Sequence, residues 1–161
     1  MKISFDLDDT LLMYGDTVAT EPRLHLLWRL FVRDEPLRLG ARRLVDELRQ
    51  RGHEIWIYTS SGRRAGWIRW WLRLHCIRVD GVVDGATHAK CFGEGSLPTK
   101  RPHVFGISLH VDNSRGVAIE GERYGFDVCL VEPSLIEWVD YVLEFVKQFE
   151  QRKFNPQAKK G

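Results

Sequence analysis

The strongest constraint on the fold is a repeated order of short apolar segments and longer amphipathic ones. Five segments are rich in β-branched and aromatic residues, and apolar residues recur at helical spacing in most of the intervals between them. This alternation is typical of an α/β domain. We therefore predict a Rossmann-like three-layer domain with a central, mainly parallel five-stranded sheet. The predicted strands are residues 3–7, 53–59, 79–83, 107–111 and 126–131.

The intervals between these strands carry the helical signals. Trp67, Trp70, Trp71 and Leu74 share one side of a predicted helix, which favours packing in the core over a stacking surface for bases. Ser134 to Glu137 forms a capping-box pattern and predicts the start of a last helix with Ile136 facing inward. Residues 84–99 contain several glycines and little periodicity, which predicts a loop. The other predictions are a turn or hairpin over 13–20, helices over about 21–31 and 37–51, and a short helix or turn over about 117–123.

Length and composition place the chain among well-packed proteins. It has 161 residues, of which 43% are hydrophobic, and it includes six Trp and eight Phe. We expect one domain over residues 1–154 and a flexible basic tail over 155–161. No apolar run approaches the roughly 20 residues that cross a bilayer, and the first residues do not resemble a signal peptide, so we expect a cytoplasmic protein. Three cysteines without regular spacing indicate reduced thiols.

Polar residues stand where three of the predicted strands end. Asp6, Asp8 and Asp9 follow the first strand, Thr59-Ser60 the second and Asp112-Asn113 the fourth. Parallel sheets bind ligands at the carboxyl ends of their strands. Carboxylates repel one another, so three within four residues suit a shared cation such as Mg²⁺, although a solvated acidic turn is the simpler alternative.

The segment Asp6-Leu7-Asp8-Asp9-Thr10 resembles the first motif of the haloacid-dehalogenase-like (HAD) phosphatases. Three further motifs of that family have candidates in the right order, and the resemblance covers about residues 3–131. Thr59 matches the second motif and Asp112 the fourth. Lys100, followed by Arg101-Pro102, matches the third better than its rival Lys90 does.

The resemblance implies a magnesium-dependent phosphatase that hydrolyses a phosphomonoester through an aspartyl-phosphate. Asp6 would attack phosphorus, and Asp8 would act as general acid and base. Mg²⁺ would be held by Asp6, the backbone carbonyl of Asp8, and Asp112. Thr59, Ser60 and Lys100 would bind the phosphoryl group. Thr10 and Asn113 would support the site from behind these residues.

The chain departs from the family pattern in the fourth motif. A second acidic residue usually follows there, but Asn113, Gly116 and Val117 occupy the candidate positions, so metal binding could be weaker. The intervals between motifs are also too short for a large cap domain. An open site would admit a phosphorylated macromolecule, or a small substrate if a partner subunit covered it.

Two other functions remain open from the sequence. One is a catalytically weak binding protein on the same fold. The other is a nucleic-acid-binding module, because thirteen arginines and only five acidic residues lie between Arg23 and Arg78, although the whole chain has a net charge of only +2. Neither alternative requires Asp6, Asp8 and Lys100 together, so the phosphatase is the preferred prediction.

Overall fold

The structure is a computed structural model that describes residues 1–15, 18–29 and 35–154. Its centre is a five-stranded sheet in which every neighbouring pair of strands is parallel, in the order β3-β2-β1-β4-β5. This confirms the predicted α/β fold, and no large cap domain is evident among the described residues. The strands are β1 (Lys2–Phe5), β2 (Glu54–Tyr58), β3 (Gly81–Val83), β4 (Leu109–Asp112) and β5 (Val128–Leu130).

Six α-helices are present in the described part of the chain. They flank the sheet, and one apolar core contains side chains from β1, β2 and β4 together with α2, α3 and α6. The helices are α1 (Leu26–Arg29), α2 (Ala41–Gln50), α3 (Ala65–Leu74), α4 (Gly85–Phe92), α5 (Arg115–Tyr124) and α6 (Trp138–Phe154), and a 3₁₀ helix spans Pro102–Phe105.

Helix α2 begins four residues later than its apolar stripe predicted. Leu37 and Arg38 are extended instead and form isolated antiparallel bridges with Leu12 and Thr20. Gly40 then adopts a φ of +85°, a conformation that favours glycine, and the helix starts at the next residue. The tertiary pairing of Leu37 and Arg38 therefore outweighs their local helical spacing.

The last helix also begins later than predicted. Arg38 is buried, and its Nη2 donates to the carbonyls of Glu132, Pro133 and Leu135, at 3.1, 2.9 and 2.9 Å. These bonds hold the segment as a turn, so the Ser134 pattern does not cap α6, which starts at Trp138. Ile136 is consequently 93% exposed, and its predicted inward orientation is wrong.

The predicted loop over 84–99 is wrong in part, because this interval contains the helix α4. Asp84 caps this helix because its carboxylate accepts hydrogen bonds from the backbone N–H and the hydroxyl of Thr87, at 2.8 and 2.6 Å. Its other oxygen accepts from the backbone N–H of Ala65, at 2.8 Å, and so serves the start of α3 as well. One side chain therefore joins two helix starts.

Other predictions fall partly or wholly outside the described residues, or are not tested by the structure. The predicted start of the helix over 21–31 is wrong, because residues 21–25 are not helical and the backbone N–H of Glu21 donates to the carbonyl of Leu37 instead. The described helical part is α1, and residues 30 and 31 lie outside the described ranges. The predicted tail, residues 155–161, lies outside them too. In the described part, no helix is both long enough and apolar enough to cross a bilayer. The cytoplasmic location and the single-domain boundary stay predictions.

Candidate active site

The loop after β1 places the first two candidate residues. The backbone N–H of Asp6 donates to Val111, at 2.8 Å, and extends the pairing of β1 with β4 by one residue. The chain then folds back, because the carbonyl of Leu7 accepts from the N–H groups of Leu11 and Leu12, at 3.0 and 2.8 Å. Asp9 lies exposed in this turn with a φ of +56°, a region that Asp and Asn tolerate better than most residues. The Asp9 carboxylate is therefore part of the turn, and no contact joins it to Lys100 among the described residues.

Lys100 lies at the centre of the candidate site. Its side chain is buried, and its Nζ donates to a carboxylate oxygen of Asp6, to Asp112 Oδ2 at 3.3 Å and to the carbonyl of Tyr58 at 2.8 Å. The carboxylates that follow β1 and end β4 thus face one cation. Lys90, the rival candidate, lies exposed on α4. The structure therefore brings Lys100, and not Lys90, to Asp6 and Asp112.

Tyr58 anchors the loop that carries Lys100. Its carbonyl binds the lysine ammonium, and its hydroxyl accepts from the backbone N–H of Arg101 at 2.9 Å. The same hydroxyl lies 2.6 Å from His88 Nδ1 on α4. Burial raises the pKa of Tyr58 to about 12, so the hydroxyl stays protonated at neutral pH.

The two facing carboxylates differ in their electrostatic surroundings. Burial raises the pKa of the Asp6 carboxyl, and the positive charge of Lys100 opposes that shift. For Asp112, burial acts in the same direction, but the hydrogen bond from His110 and the charge of Lys100 outweigh it and lower the pKa to about 2. The Asp112 carboxyl is therefore deprotonated at neutral pH.

His110 supports Asp112 from within the same strand. Its ring is fully buried, and its pKa is lowered by burial and by the charge of Lys100, so the ring is neutral near pH 7. Nε2 lies 2.9 Å from Asp112 Oδ2, and Nδ1 lies 2.8 Å from the hydroxyl of Ser4. A neutral ring that donates from Nε2 to the carboxylate and accepts at Nδ1 from Ser4 satisfies both contacts.

Thr59 and Ser60 follow β2, beside the site. Thr59 is buried, and its hydroxyl oxygen accepts from the backbone N–H of Ser61 at 3.1 Å, which leaves the hydroxyl proton for another acceptor. Neither residue caps α3, which begins at Ala65. Ser60 is exposed and lines a cavity of about 420 Å³ with Thr59, Gly85 and His88. The alternative that these two residues serve only as a helix cap is therefore wrong.

Thr10 and Asn113 connect the loops that follow β1 and β4. The hydroxyl of Thr10 donates to Asn113 Oδ1 at 3.2 Å, and Thr10 is fully buried. This contact joins the two residues, and their support of the site stays a prediction. It also uses the side-chain oxygen of Asn113, which is a neutral group where the family pattern has a second carboxylate.

Asp8 lies in a cluster that the sequence did not predict. We call it the Arg63 cluster, and it consists of Asp8, Tyr14, Glu35 and Arg63. Arg63 Nη1 contacts both carboxylate oxygens of Asp8, at 2.9 and 3.1 Å, and Nη2 lies 2.5 Å from Glu35. The hydroxyl of Tyr14 lies 2.8 Å from Asp8 and 2.9 Å from Glu35. Arg63 follows the polar end of β2 by four residues, and only that proximity in the sequence could have indicated it.

The Arg63 cluster is strongly electrostatic. Burial and hydrogen bonds with Asp8 and Glu35 raise the pKa of the Tyr14 hydroxyl. Burial alone would lower the pKa of Arg63, but the ion pairs with Glu35 and Asp8 raise it instead. Arg63 thus stays charged and directs the Asp8 side chain toward itself and Tyr14.

The donor groups of the site suit Mg²⁺ in their chemistry. Within residues 1–15, 18–29 and 35–154, no group of three or more His, Cys, Asp or Glu residues is arranged to hold a metal ion. Mg²⁺, however, often uses one or two carboxylates, with waters and substrate oxygens completing its shell. Asp6 and Asp112 provide two carboxylates that already converge on one cation, the ammonium of Lys100. The residues present therefore fit such an ion.

Comparison with known proteins supports the fold alone. No protein-family model matches the chain, and no curated protein matches it. Among solved structures, it is similar to the crystal structure of an uncharacterized protein from Listeria monocytogenes serotype 4b. The two chains share 15% identity with a TM-score of 0.60, and the match covers 93% of this chain and 98% of the other. At this identity, the likeness establishes a common architecture and carries no function.

Proposed function

We propose that this protein is a magnesium-dependent HAD-like phosphatase that hydrolyses a phosphomonoester through an aspartyl-phosphate on Asp6. The observation that carries the proposal is the position of Lys100, whose single buried ammonium binds both Asp6 and Asp112. Thr59 follows the neighbouring strand β2 and has a hydroxyl proton to donate. The Asp6 carboxylate, the Lys100 ammonium and a hydroxyl that can donate a hydrogen bond to a phosphoryl oxygen thus lie at the carboxyl ends of three adjacent parallel strands, which supports this proposal.

The chemistry needs a carboxylate that can approach an anionic phosphate. Lys100 neutralises part of the charge of Asp6 and is positioned to offset charge on the phosphoryl oxygens. An oxygen of Asp6 attacks phosphorus, and the bond from phosphorus to the alcohol oxygen breaks. Asp8 gives that oxygen a proton. Asp8 then takes a proton from water, which attacks phosphorus and releases inorganic phosphate and free Asp6.

Asp6, Asp112 and the backbone carbonyl of Asp8 would hold Mg²⁺. When bound, the ion supplies positive charge that reduces repulsion between the carboxylate and the phosphate. Asn113 adds no charge to this set because its amide is neutral, and its side-chain oxygen already accepts the Thr10 hydroxyl. We therefore expect a requirement for higher Mg²⁺ concentrations than a site with a third carboxylate would have.

The Arg63 cluster favours a second candidate, a binding protein with weak activity. Asp8 can serve as acid and base only when its carboxylate turns from Arg63 and Tyr14 toward the substrate. If Arg63 stayed paired with Asp8 while substrate was bound, Asp8 could not transfer protons, and the site would bind phosphate without efficient turnover. The two candidates differ in the activity of the wild-type protein, and not in its ability to bind phosphate.

The test is hydrolysis of a generic aryl phosphate by purified full-length protein, with Mg²⁺ and with a chelator. We expect Mg²⁺-dependent release of the aryl alcohol that Asp6→Asn reduces by about 10³-fold or more, because the nucleophile is lost. Asp9→Asn is the matched control: it removes a carboxylate three residues away, and Asn tolerates the positive φ of that turn.

The outcome of this assay separates the candidates. Wild-type activity that Asp9→Asn retains and Asp6→Asn loses supports the phosphatase. No turnover in this assay, together with binding of inorganic phosphate measured by titration calorimetry, supports the binding protein. Turnover that survives Asp6→Asn contradicts the proposed nucleophile.

A further inference from the structure

A basic groove lies along α3, apart from the candidate active site. It has a volume of about 510 Å³, and none of the residues that line it belongs to the proposed phosphatase machinery. We call it the arginine groove and define it by the residues that line it: Arg49, Gly66, Arg69, Trp70, Arg73, Ile77, Arg78, Val79 and Asp80. Four arginines therefore face a single carboxylate.

The carboxylate of Asp80 already has hydrogen-bond partners within the protein. Asp80 Oδ2 accepts from Arg49 at 2.6 Å and from the backbone N–H of Ile55 at 2.8 Å. Arg69 Nη1 donates to the backbone carbonyl of Val79 at 3.3 Å, and its charge also interacts with the Asp80 carboxylate. Arg73 and Arg78 are exposed, and neither has an acidic partner among the described residues. The guanidinium groups of Arg73 and Arg78 thus leave their positive charge in the groove uncompensated by a carboxylate.

Trp70 adds an aromatic face to this charge. The sequence pattern predicted that the tryptophans of α3 pack in the core, and Trp71 is indeed fully buried with Trp67 stacked on it, with ring centroids 5.8 Å apart. Trp70 departs from that prediction because it is 40% exposed and lines the groove between Arg69 and Arg73. The core is complete without it.

We propose that the arginine groove binds single-stranded nucleic acid. Guanidinium groups contact phosphates, and an exposed indole stacks on a base that is free of pairing. A duplex keeps its bases stacked inside and would leave Trp70 unused. An acidic peptide would use the arginines but would offer the ring no base to stack on. An anionic membrane surface would accept Trp70 at its interface, and the vesicle competition below distinguishes it from a single strand. The combination of Trp70 with two uncompensated arginines, Arg73 and Arg78, therefore favours a single strand. This inference stands whether or not Asp6 is a nucleophile.

The test is fluorescence anisotropy of a labelled oligothymidylate of about twelve nucleotides, a length within the usual site sizes, with the full-length protein. We expect binding that weakens steeply between about 50 and 200 mM salt. Arg73→Ala with Arg78→Ala should weaken binding and reduce the slope of log K against log salt by about 1.4, since each phosphate contact on a single strand contributes roughly 0.7.

The controls separate this groove from a general effect of positive charge. Arg123→Ala with Arg152→Ala removes the same charge from exposed positions outside the groove, and this variant should keep the wild-type slope. Trp70→Ala should weaken binding by about 10-fold or more, and Trp70→Phe should restore most of the loss because it keeps an aromatic face.

Three outcomes would overturn the proposal. The first is no binding of the oligonucleotide by the wild-type protein at about 50 mM salt, where electrostatic binding is strong. The second is an equal loss in the groove variant and the charge-matched control. The third is competition by polyglutamate, or by vesicles rich in phosphatidylserine, as effective as that by unlabelled oligonucleotide at equal charge, together with an unaffected Trp70→Ala variant.

Discussion

At the scale of the residue, the candidate site depends on how buried charges are balanced. Asp6 and Asp112 would repel each other if Lys100 did not lie between them. Their types and order in the chain were sufficient to predict that they meet, because strand ends converge in a parallel sheet. The Arg63 cluster around Asp8 was not predictable, because Arg63, Glu35 and Tyr14 come from separate parts of the chain.

Replacement of Lys100 should expose this balance as a loss of stability. Lys100→Met leaves two buried carboxylates facing each other, and we expect the free energy of unfolding to fall by about 3 kcal/mol in the absence of divalent cations. Added Mg²⁺ should stabilise this variant more than it stabilises the wild-type protein, since the ion replaces the lost charge. Urea denaturation with and without Mg²⁺ measures both effects.

Lys90→Met is the matched control for this substitution. Lys90 is exposed on α4, so its loss should change the free energy of unfolding by less than about 0.5 kcal/mol, with no added dependence on Mg²⁺. Equal effects of the two substitutions would show that Lys100 does not balance the pair.

At the scale of the element, tertiary contacts decided what local patterns could not. The strands and most helices were predictable from their periodicity, because burial on a sheet or a helix face repeats along the sequence. The start of α6 was not, since the buried guanidinium of Arg38 holds the carbonyls just before it. The presence of α4 was hidden as well, because its signal is the capping residue Asp84 and not an apolar stripe.

Asp84→Ala should therefore weaken two helices at once. The variant loses the acceptors for Thr87 and Ala65, and we expect the free energy of unfolding to fall by about 2 kcal/mol, near the upper end for a helix cap. Asp46→Ala is a suitable comparison. Asp46 lies exposed on α2 with its ion-pair partner Arg42 3.8 Å away, so its loss should cost less than about 0.5 kcal/mol. Thermal or urea unfolding that gives equal costs for both variants would contradict the capping role.

At the scale of the whole molecule, the sheet orders the chain into a buried core and two polar regions. The candidate active site lies at the carboxyl ends of β1, β2 and β4, while the arginine groove follows α3 and the segment before β3. The groove could not be predicted in detail, because its arginines come from three separate segments. The bias toward arginine in the middle of the chain was visible, but not which residues it places together.

The accessibility of the three cysteine thiols tests how tightly the core is packed. Cys76 and Cys91 are exposed, whereas Cys129 is buried in β5, where burial raises the pKa of its thiol to about 12. A thiol-specific reagent at pH 8 should therefore modify two thiols quickly and the third only when the protein unfolds. Rapid modification of Cys129 in the native protein, located by mass spectrometry, would contradict the packing of the central sheet.

The most direct test of the proposed function is to trap the phosphorylated enzyme. An aryl phosphate has a good leaving group, so Asp8→Asn should still form the intermediate but hydrolyse it slowly, because water loses its general base. After acid quenching, peptide mass spectrometry should find one phosphoryl group on Asp6 that hydroxylamine removes, as expected for an acyl phosphate. Absence of a phosphoryl group on Asp6 in Asp8→Asn, or phosphorylation of the protein that persists when Asp6→Asn is added, would contradict the proposed nucleophile.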